Sequence, residues 1–422
     1  MGPAPLAVQF DASGQGAFNG VYEFNFGDPS SGTWAVSGLA KNTQRGGPIA
    51  AHVYDAPGTY VATVGGASVT ITVQDPNTVY AGASTVCVST SANYTSCPSG
   101  ALTQTGLPAS YAGKRVLLRR GESFAAVQPL ATDTGFQVGA FGTGAKPRVL
   151  GVAAGGPAAG SSAVTSDWTV MDLDVGTGAV NVEASTSRFL LYRSDVVRYG
   201  SSDAMINIGT AAGFYQAHGH PTLRWPTEVF LVENDVLGVV GTRSNSPNLT
   251  AMGFFYRSAL MGNTMDRAFE HTLRIWATGK TFIAHNAIGG NHTPEADGIG
   301  IRGALKLHSN GEQTFTESIA TSPTPASSRV VVANNRFGSP TYPGSWMTGL
   351  APQNTDAVEG LEDFVAENNV FVRGPHTTID MTWKGRRMTK RGNTVQGGGA
   401  AIISTIGAAF PPGSERWDGP YY

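Results

Sequence analysis

Short apolar strands recur through the second half of the chain, and most of them end in a turn at a small polar residue. Seven segments carry the pattern: FLLYRSDV (189–196), FLVENDVL (230–237), FFYRSALM (254–261), FIAHNAIG (282–289), VVVANNRF (330–337), FVAENNVF (364–371) and MTKRGNTV (388–395). Ser194, Asn234, Asn286, Asn335 and Asn368 align at the turn, with spacings 234−194 = 40, 286−234 = 52, 335−286 = 49 and 368−335 = 33. Ser258, in the weaker third segment, divides the 52 into 24 and 28. Spacings of about 25 residues, lengthened by insertions, fit one coil of a solenoid built from short parallel strands.

Upstream, KRVLLRRGESF, FQVGAFG, PRVLGVA, DWTVMDLDV and SRFLLYRSDVV continue the series of short β-branched strands separated by glycine. No helical pattern of 10–15 residues alternates with them, which argues against doubly wound and barrel α/β folds. Stacked coils explain both features. Each strand pairs with its counterpart about 4.8 Å away, and alternate residues fill a narrow core. Asparagine at the turn can bond neighbouring backbone groups and stack on asparagine in the next coil.

The first 74 residues read differently. APLAVQFDASG, VYEFNFGDPSSG, HVYDAPGTYVATV and ASVTITVQD are strands broken by Gly27-Asp28-Pro29, Pro57-Gly58 and Gly65-Gly66, with Phe10, Tyr22, Phe24, Tyr54 and Tyr60 as core candidates. PLAVQFDAS, YEFNFGD and HVYDAPGTYVATV together resemble the PKD-type immunoglobulin-like domain, although Asn25 and Pro29 depart from its usual Asp and Gly. That resemblance implies a sandwich acting as a spacer or a weak carbohydrate- or protein-binding module. The later repeats resemble the right-handed parallel β-helix superfamily of pectate lyases, polysaccharide hydrolases and phage tailspikes, which implies a glycan-handling groove. The expected organisation is all-β: an immunoglobulin-like sandwich (1–74), a linker and cap (75–108), a right-handed parallel β-helix (109–410) and a C-terminal tail (411–422).

Composition narrows the partners. With 55 Gly, 24 Pro, 14% charged residues and a net charge of −2, the chain suits many short strands and tight turns. It has no basic tail or sustained basic stripe, so nucleic acid is not an expected partner. Lys384, Arg386, Arg387, Lys390 and Arg391 form one local basic cluster, read as a solvated final coil. No apolar run is long enough to cross a bilayer. Met1-Gly2-Pro3 leads almost directly into a strand, so no signal peptide is expected at this start. Cys87 and Cys97 share one polar loop and are expected to form a disulfide, which favours a secreted, cell-surface or virion-surface protein. No coiled-coil heptad demands an oligomer; a trimer would fit a tailspike.

The candidate chemistry lies on a second repeated strand: MINI (205–208), LRI (273–275), LKL (305–307) and IDM (379–381). Its middle residues, Asn207, Arg274, Lys306 and Asp380, should point outward, with Trp276, His308 and Thr382 two positions further on. Glu270, Lys280 and His285 lie nearby in sequence. Arg274, Lys306, His308 and Glu270 are the catalytic candidates, and Trp276, Asp380, Asn207 and Lys280 the substrate-binding ones. Cations can hold a uronate carboxylate, and His308 or Lys306 can remove a proton, which is the chemistry of β-elimination. Paired carboxylates among Glu270, Asp235, Asp266 and Asp380 would instead serve hydrolysis. A non-catalytic glycan-binding adhesin or a structural tail protein could use the same groove. No cofactor is predicted. His292, Glu295 and Asp297 offer ligands that Ca2+ could accept, without EF-hand periodicity, and His218 and His220 lack a third ligand at diagnostic spacing.

Overall fold

The computed structural model describes residues 1–154, 164–182, 186–197, 205–209, 226–238, 249–268, 271–289, 304–308, 327–338, 347–348, 361–373, 379–383 and 385–405. Almost every regular element is a strand, arranged as an N-terminal sandwich followed by a parallel β-solenoid.

In the sandwich, Leu6–Asp11 pairs antiparallel with Ile49–Tyr54. They face a sheet containing Tyr22–Asn25, Thr43–Gly46, Gly58–Val64 and Ala67–Gln74. Phe24, Phe26, Tyr54 and Val73 close the core between them. Ile49–Tyr54 is buried at all six positions. Its alternation explains why: Ala50 and Tyr54 face the sandwich core, whereas Ile49, Ala51 and Val53 face the solenoid.

Each regular solenoid coil contributes three strands, represented by Val180–Val182, Thr186–Tyr192 and Asp195–Val197. They belong to what we term the first, second and third sheets. Register is parallel throughout: Val180 pairs with Ile206, Phe189 with Val229 and Val196 with Val236. Parallel pairing extends upstream to Thr85–Val88 and Leu102–Gln104. Inward residues from the three sheets form one continuous core, including Val182, Leu191, Val196, Ile208, Leu231 and Val236. Aromatic rings stack along it, with Phe136, Trp168 and Phe189 at centroid spacings of 5.5 and 4.0 Å. Trp168 is therefore core packing.

The turn between the second and third sheets is an amide ladder through Ser194, Asn234, Asn263, Asn286, Asn335, Asn369 and Asn393. Asn263 Nδ2, for example, donates to Leu231 O at 2.8 Å and to Asn286 Oδ1 at 2.9 Å. Asn263 Oδ1 also accepts from the backbone of Asn234 at 3.0 Å. Two positions correct the sequence alignment. Asn369, not Asn368, occupies the ladder, and Asn263 occupies the turn assigned to the third segment. Asn368 is the preceding left-handed residue, φ 53°, as are Asn334, His285 and Glu233 in their coils. The Asn-Asn pairs offered two candidates each, and only the second has its amide inside the stack. Ser258 instead immediately precedes the second-sheet strand Ala259–Met261, and its hydroxyl accepts from Val229 N at 3.1 Å.

The sandwich is packed against the solenoid, not tethered away from it as a spacer. Trp34, Ile49, Ala51 and Val53 cover the outer face of the second sheet, touching one apolar cluster that runs from Leu190 and Tyr192 through Phe230, Met261, Phe282 and Val331 to Val365. Glycine permits the close approach: a Cβ at Gly47 would lie 2.8 Å from Val331, and one at Gly262 would lie 2.8 Å from Trp34. Polar contacts border the apolar seam. Lys280 Nζ meets Asp11 at 2.6 Å, Lys41 pairs with Glu233, and Glu367 accepts from Gly47 N at 2.7 Å. The Cys87–Cys97 disulfide is formed, and its loop packs over Leu117 and Phe141 further along the same outer face. Among the described residues, no helix is long and apolar enough to cross a membrane.

Candidate functional site

With the second sheet covered, the first and third sheets carry the remaining outward columns. The first sheet's column is set by register. Asn181 pairs with Asn207, Asn207 with Ala251, Ala251 with Arg274, and Arg274 with Lys306. Thr348, Thr382 and Ser404 continue it. The flanking residues, such as Ile206 and Ile208 or Leu273 and Ile275, are fully buried. This alternation of apolar-in and polar-out is the arrangement expected for a half-buried parallel strand. Eight rungs at about 4.8 Å give a column roughly 34 Å long.

Arg274 is half-buried, as are Asn181 and Asn207. Lys306 holds the outward ladder position beside Arg274, yet its side chain is covered, with 1% exposure. Trp276 and His308 occupy directly paired backbone positions two residues further along. Glu270 lies outside the described residues.

Two candidates sit elsewhere. Asp380 is not in the Arg274–Lys306 column: Met381 pairs with Met347, and Thr382 takes that rung. The Asp380 carboxylate is fully buried, accepts from Arg373 Nε at 3.0 Å and from Ile402 N at 2.7 Å, and so ties adjacent late coils together. Lys280 belongs to the second-sheet part of its long strand and faces the sandwich, where it pairs with Asp11. Burial opposes ionisation of Asp11, but hydrogen bonds from Lys280 and Ser13 hold its carboxyl below the usual range. His285 likewise lies in the seam between sandwich and solenoid.

The third sheet presents an acidic column that the strand alignment did not single out. Asp174 pairs with Asp195 and Asp195 with Asp235. Lys146 Nζ contacts Asp195 at 2.6 Å. Burial pushes the Asp174 carboxyl up, and the neighbouring Asp195 charge adds to the rise against the pull of Arg148 and Lys146. Asp235 is exposed, while Asp266 aligns with Leu237 in the next coil. The sequence signal was the Asp-Val pair repeated at 174–175, 195–196 and 235–236.

Among the described residues, no group of three or more His, Cys, Asp or Glu side chains could hold a metal ion. His218, His220, His292, Glu295 and Asp297 lie outside the described residues. The chain matches no protein-family profile, no curated protein and no solved structure.

Proposed function

We propose that this protein binds an anionic polysaccharide along the outward column of the first sheet and cleaves it by β-elimination. The observation carrying this reading is the paired register of Arg274 and Lys306 midway along a polar column. A linear polymer can follow such a column, and its repeating carboxylates need cationic partners.

In this mechanism Arg274 contacts the uronate carboxylate and stabilises the negative charge that develops when the neighbouring carbon loses its proton. Lys306, covered at the next rung, supplies positive potential beside it. His308 is assigned as the base, Glu270 as a groove-edge group for the departing oxygen, and Trp276 and Asn207 as sugar contacts. The C–O bond β to the carboxylate breaks as the carbon–carbon double bond forms. Lys280 and Asp380 are left out of this assignment because Lys280 faces the sandwich and Asp380 lies off the column.

Hydrolysis is a second reading, favoured by the acidic column of the third sheet and the raised pKa of Asp174. A carboxyl that keeps its proton can act as general acid while another carboxylate remains ionised. The disulfide supports placement in an oxidising compartment, hence secretion or display on a cell or virion surface.

Incubation with a panel of acidic and neutral polysaccharides tests these readings. Unsaturated products absorbing in the short-wavelength ultraviolet would support elimination, and new reducing ends without them would support hydrolysis. Binding with no cleavage would identify a glycan-binding adhesin and reject an enzyme acting on those polymers.

A further inference from the structure

Positive charge is confined to a short stretch of the first-sheet column. Arg274 and Lys306 are adjacent rungs. The four rungs before them, Ala153, Asn181, Asn207 and Ala251, are uncharged. Beyond Lys306 the rungs are the hydroxyl residues Thr348, Thr382 and Ser404. Asn181 and Asn207 are half-buried like Arg274, so their rungs belong to the same outward surface.

The corner that joins the first sheet to the second repeats this division. Its left-handed residues in three successive coils are Asp167, Arg188 and Glu228, with φ of 54°, 51° and 56°. Arg188 Nη2 donates to Asp167 at 2.7 Å, and Arg188 Nη1 stands 3.8 Å from Glu228. Two carboxylates thus share one guanidinium, which leaves this part of the corner with an excess of negative charge. In the coil of Ala251 the corner residue is Arg257, which is exposed, and in the coil of Arg274 it is Lys280. The change from acidic to cationic corner therefore falls one coil before Arg274.

Each sugar of an extended glycan advances by a length close to one rung, about 4.8 Å. A polymer with a carboxylate on every sugar would set charge against the neutral rungs, and beside Asp167 and Glu228, as well as against Arg274. A carboxylate held at those rungs gives up water without gaining a cation, and fixed like charges add to the cost. An amide, by contrast, both donates to and accepts from hydroxyl and acetamido groups. We infer that the substrate is an acidic heteropolysaccharide in which several neutral sugars separate one uronate from the next. The uronate sits at Arg274, and the neutral sugars lie on Asn207 and Asn181. This rests on the proposed binding of an anionic polysaccharide along the first sheet, and adds the charge spacing of that polymer.

Three linear probes of falling charge density test it with the full chain. Polygalacturonate carries a carboxylate on every sugar, hyaluronan on alternate sugars, and deacylated gellan on one sugar of each four-sugar repeat. Affinity electrophoresis reads binding, and the ultraviolet absorbance of unsaturated ends reads cleavage. Gellan should be retarded most, and elimination from it should have a kcat/KM per uronate roughly tenfold or more above that from polygalacturonate. Asn181→Arg adds a cation three rungs from Arg274 and should narrow the gellan preference about threefold, with an unchanged circular dichroism spectrum. Equal or stronger binding and cleavage of polygalacturonate or hyaluronan would overturn the inference while leaving the elimination reading in place, as would an undiminished gellan preference in folded Asn181→Arg. Retardation in the expected order without unsaturated products would remove elimination and keep the charge spacing. Retardation of none of the three would overturn both.

Discussion

The His285 ring of the solenoid lies flat on the Trp34 ring of the sandwich, with centroids 4.9 Å apart and planes 7° from parallel. Ser37 Oγ lies 2.8 Å from its Nδ1, and Gln44 Oε1 lies 3.0 Å from its Nε2. The Gln44 acceptor places the proton on Nε2, so the Ser37 hydroxyl donates to Nδ1. Both ring nitrogens are thus paired in the neutral form, and burial lowers the pKa to about 3.

The first prediction follows from that shift. The folded pKa is depressed, so the contribution is fully present above about pH 6.5 and declines as pH falls from 6.5 toward 3. Within that window the unfolded chain takes up a proton that the folded chain excludes. The slope from this group should approach 1.4 kcal/mol per pH unit. His52, whose pKa is also lowered by burial, acts in the same direction. Urea unfolding across this range should show a shallower dependence in His285→Gln, with a remaining slope from His52. An unchanged slope would remove His285 from the account.

Trp34→Ala should destabilise the seam by about 3–5 kcal/mol, as removal of a buried aromatic side chain normally does. Limited proteolysis should then cut near residues 75–84 sooner than in the parent protein. A sandwich attached only through its linker would show no such change in protection.

Asn263→Ala should cost about 2–4 kcal/mol, because Asn234 and Leu231 lose buried hydrogen-bond partners together. Asn368→Gly should be close to neutral, since position 368 requires a left-handed backbone and its side chain lies outside the ladder. Thermal melts of the two variants distinguish the two classes of asparagine.

The disulfide closes a loop with a sequence separation of 10. Replacing both Cys87 and Cys97 with serine should cost roughly 2–3 kcal/mol through restored loop freedom. Hydrogen exchange should rise first in residues 85–104, while exchange of the coils beyond 205 should stay unchanged.

Arg274→Ala should lower polysaccharide turnover about 100-fold at temperatures where the variant stays folded, the size expected for losing one charge-stabilising contact. Lys280→Ala should act through the melting temperature instead, since it breaks the pair with Asp11. Wild-type turnover in Arg274→Ala would reject the first-sheet assignment.

The solenoid was legible because its signal is local. Apolar residues at alternate positions, a turn amide and a repeat spacing recur whether or not the coils have yet been stacked. The first-sheet column was legible for the same reason at Asn207, Arg274 and Lys306, but the Ala251 rung between the first two was missed because Thr250-Ala251-Met252 lacks their apolar–polar–apolar alternation. It was lost at Asp380 because IDM and LKL look equivalent, while the chain places Met381, not Ile379, opposite Met347. A register shift leaves little trace in composition but changes which side chain occupies a rung.

The docking of the sandwich had a sequence signal of another kind. FLLY, VFLV, TFIA and VVVA are continuous apolar runs, not strict alternations, which is the mark of strands covered on both faces. IAAHVY in the sandwich is their counterpart. The sequence by itself determined that these strands form and that they stack in parallel, because those properties depend on backbone periodicity and side-chain hydrophobicity. Only the tertiary structure decided what covers the second face and that Lys280 and His285 serve the seam. Those outcomes depend on contacts between segments more than 200 residues apart, such as Gln9 with Lys280, and local pattern holds no information about which distant surface will meet it.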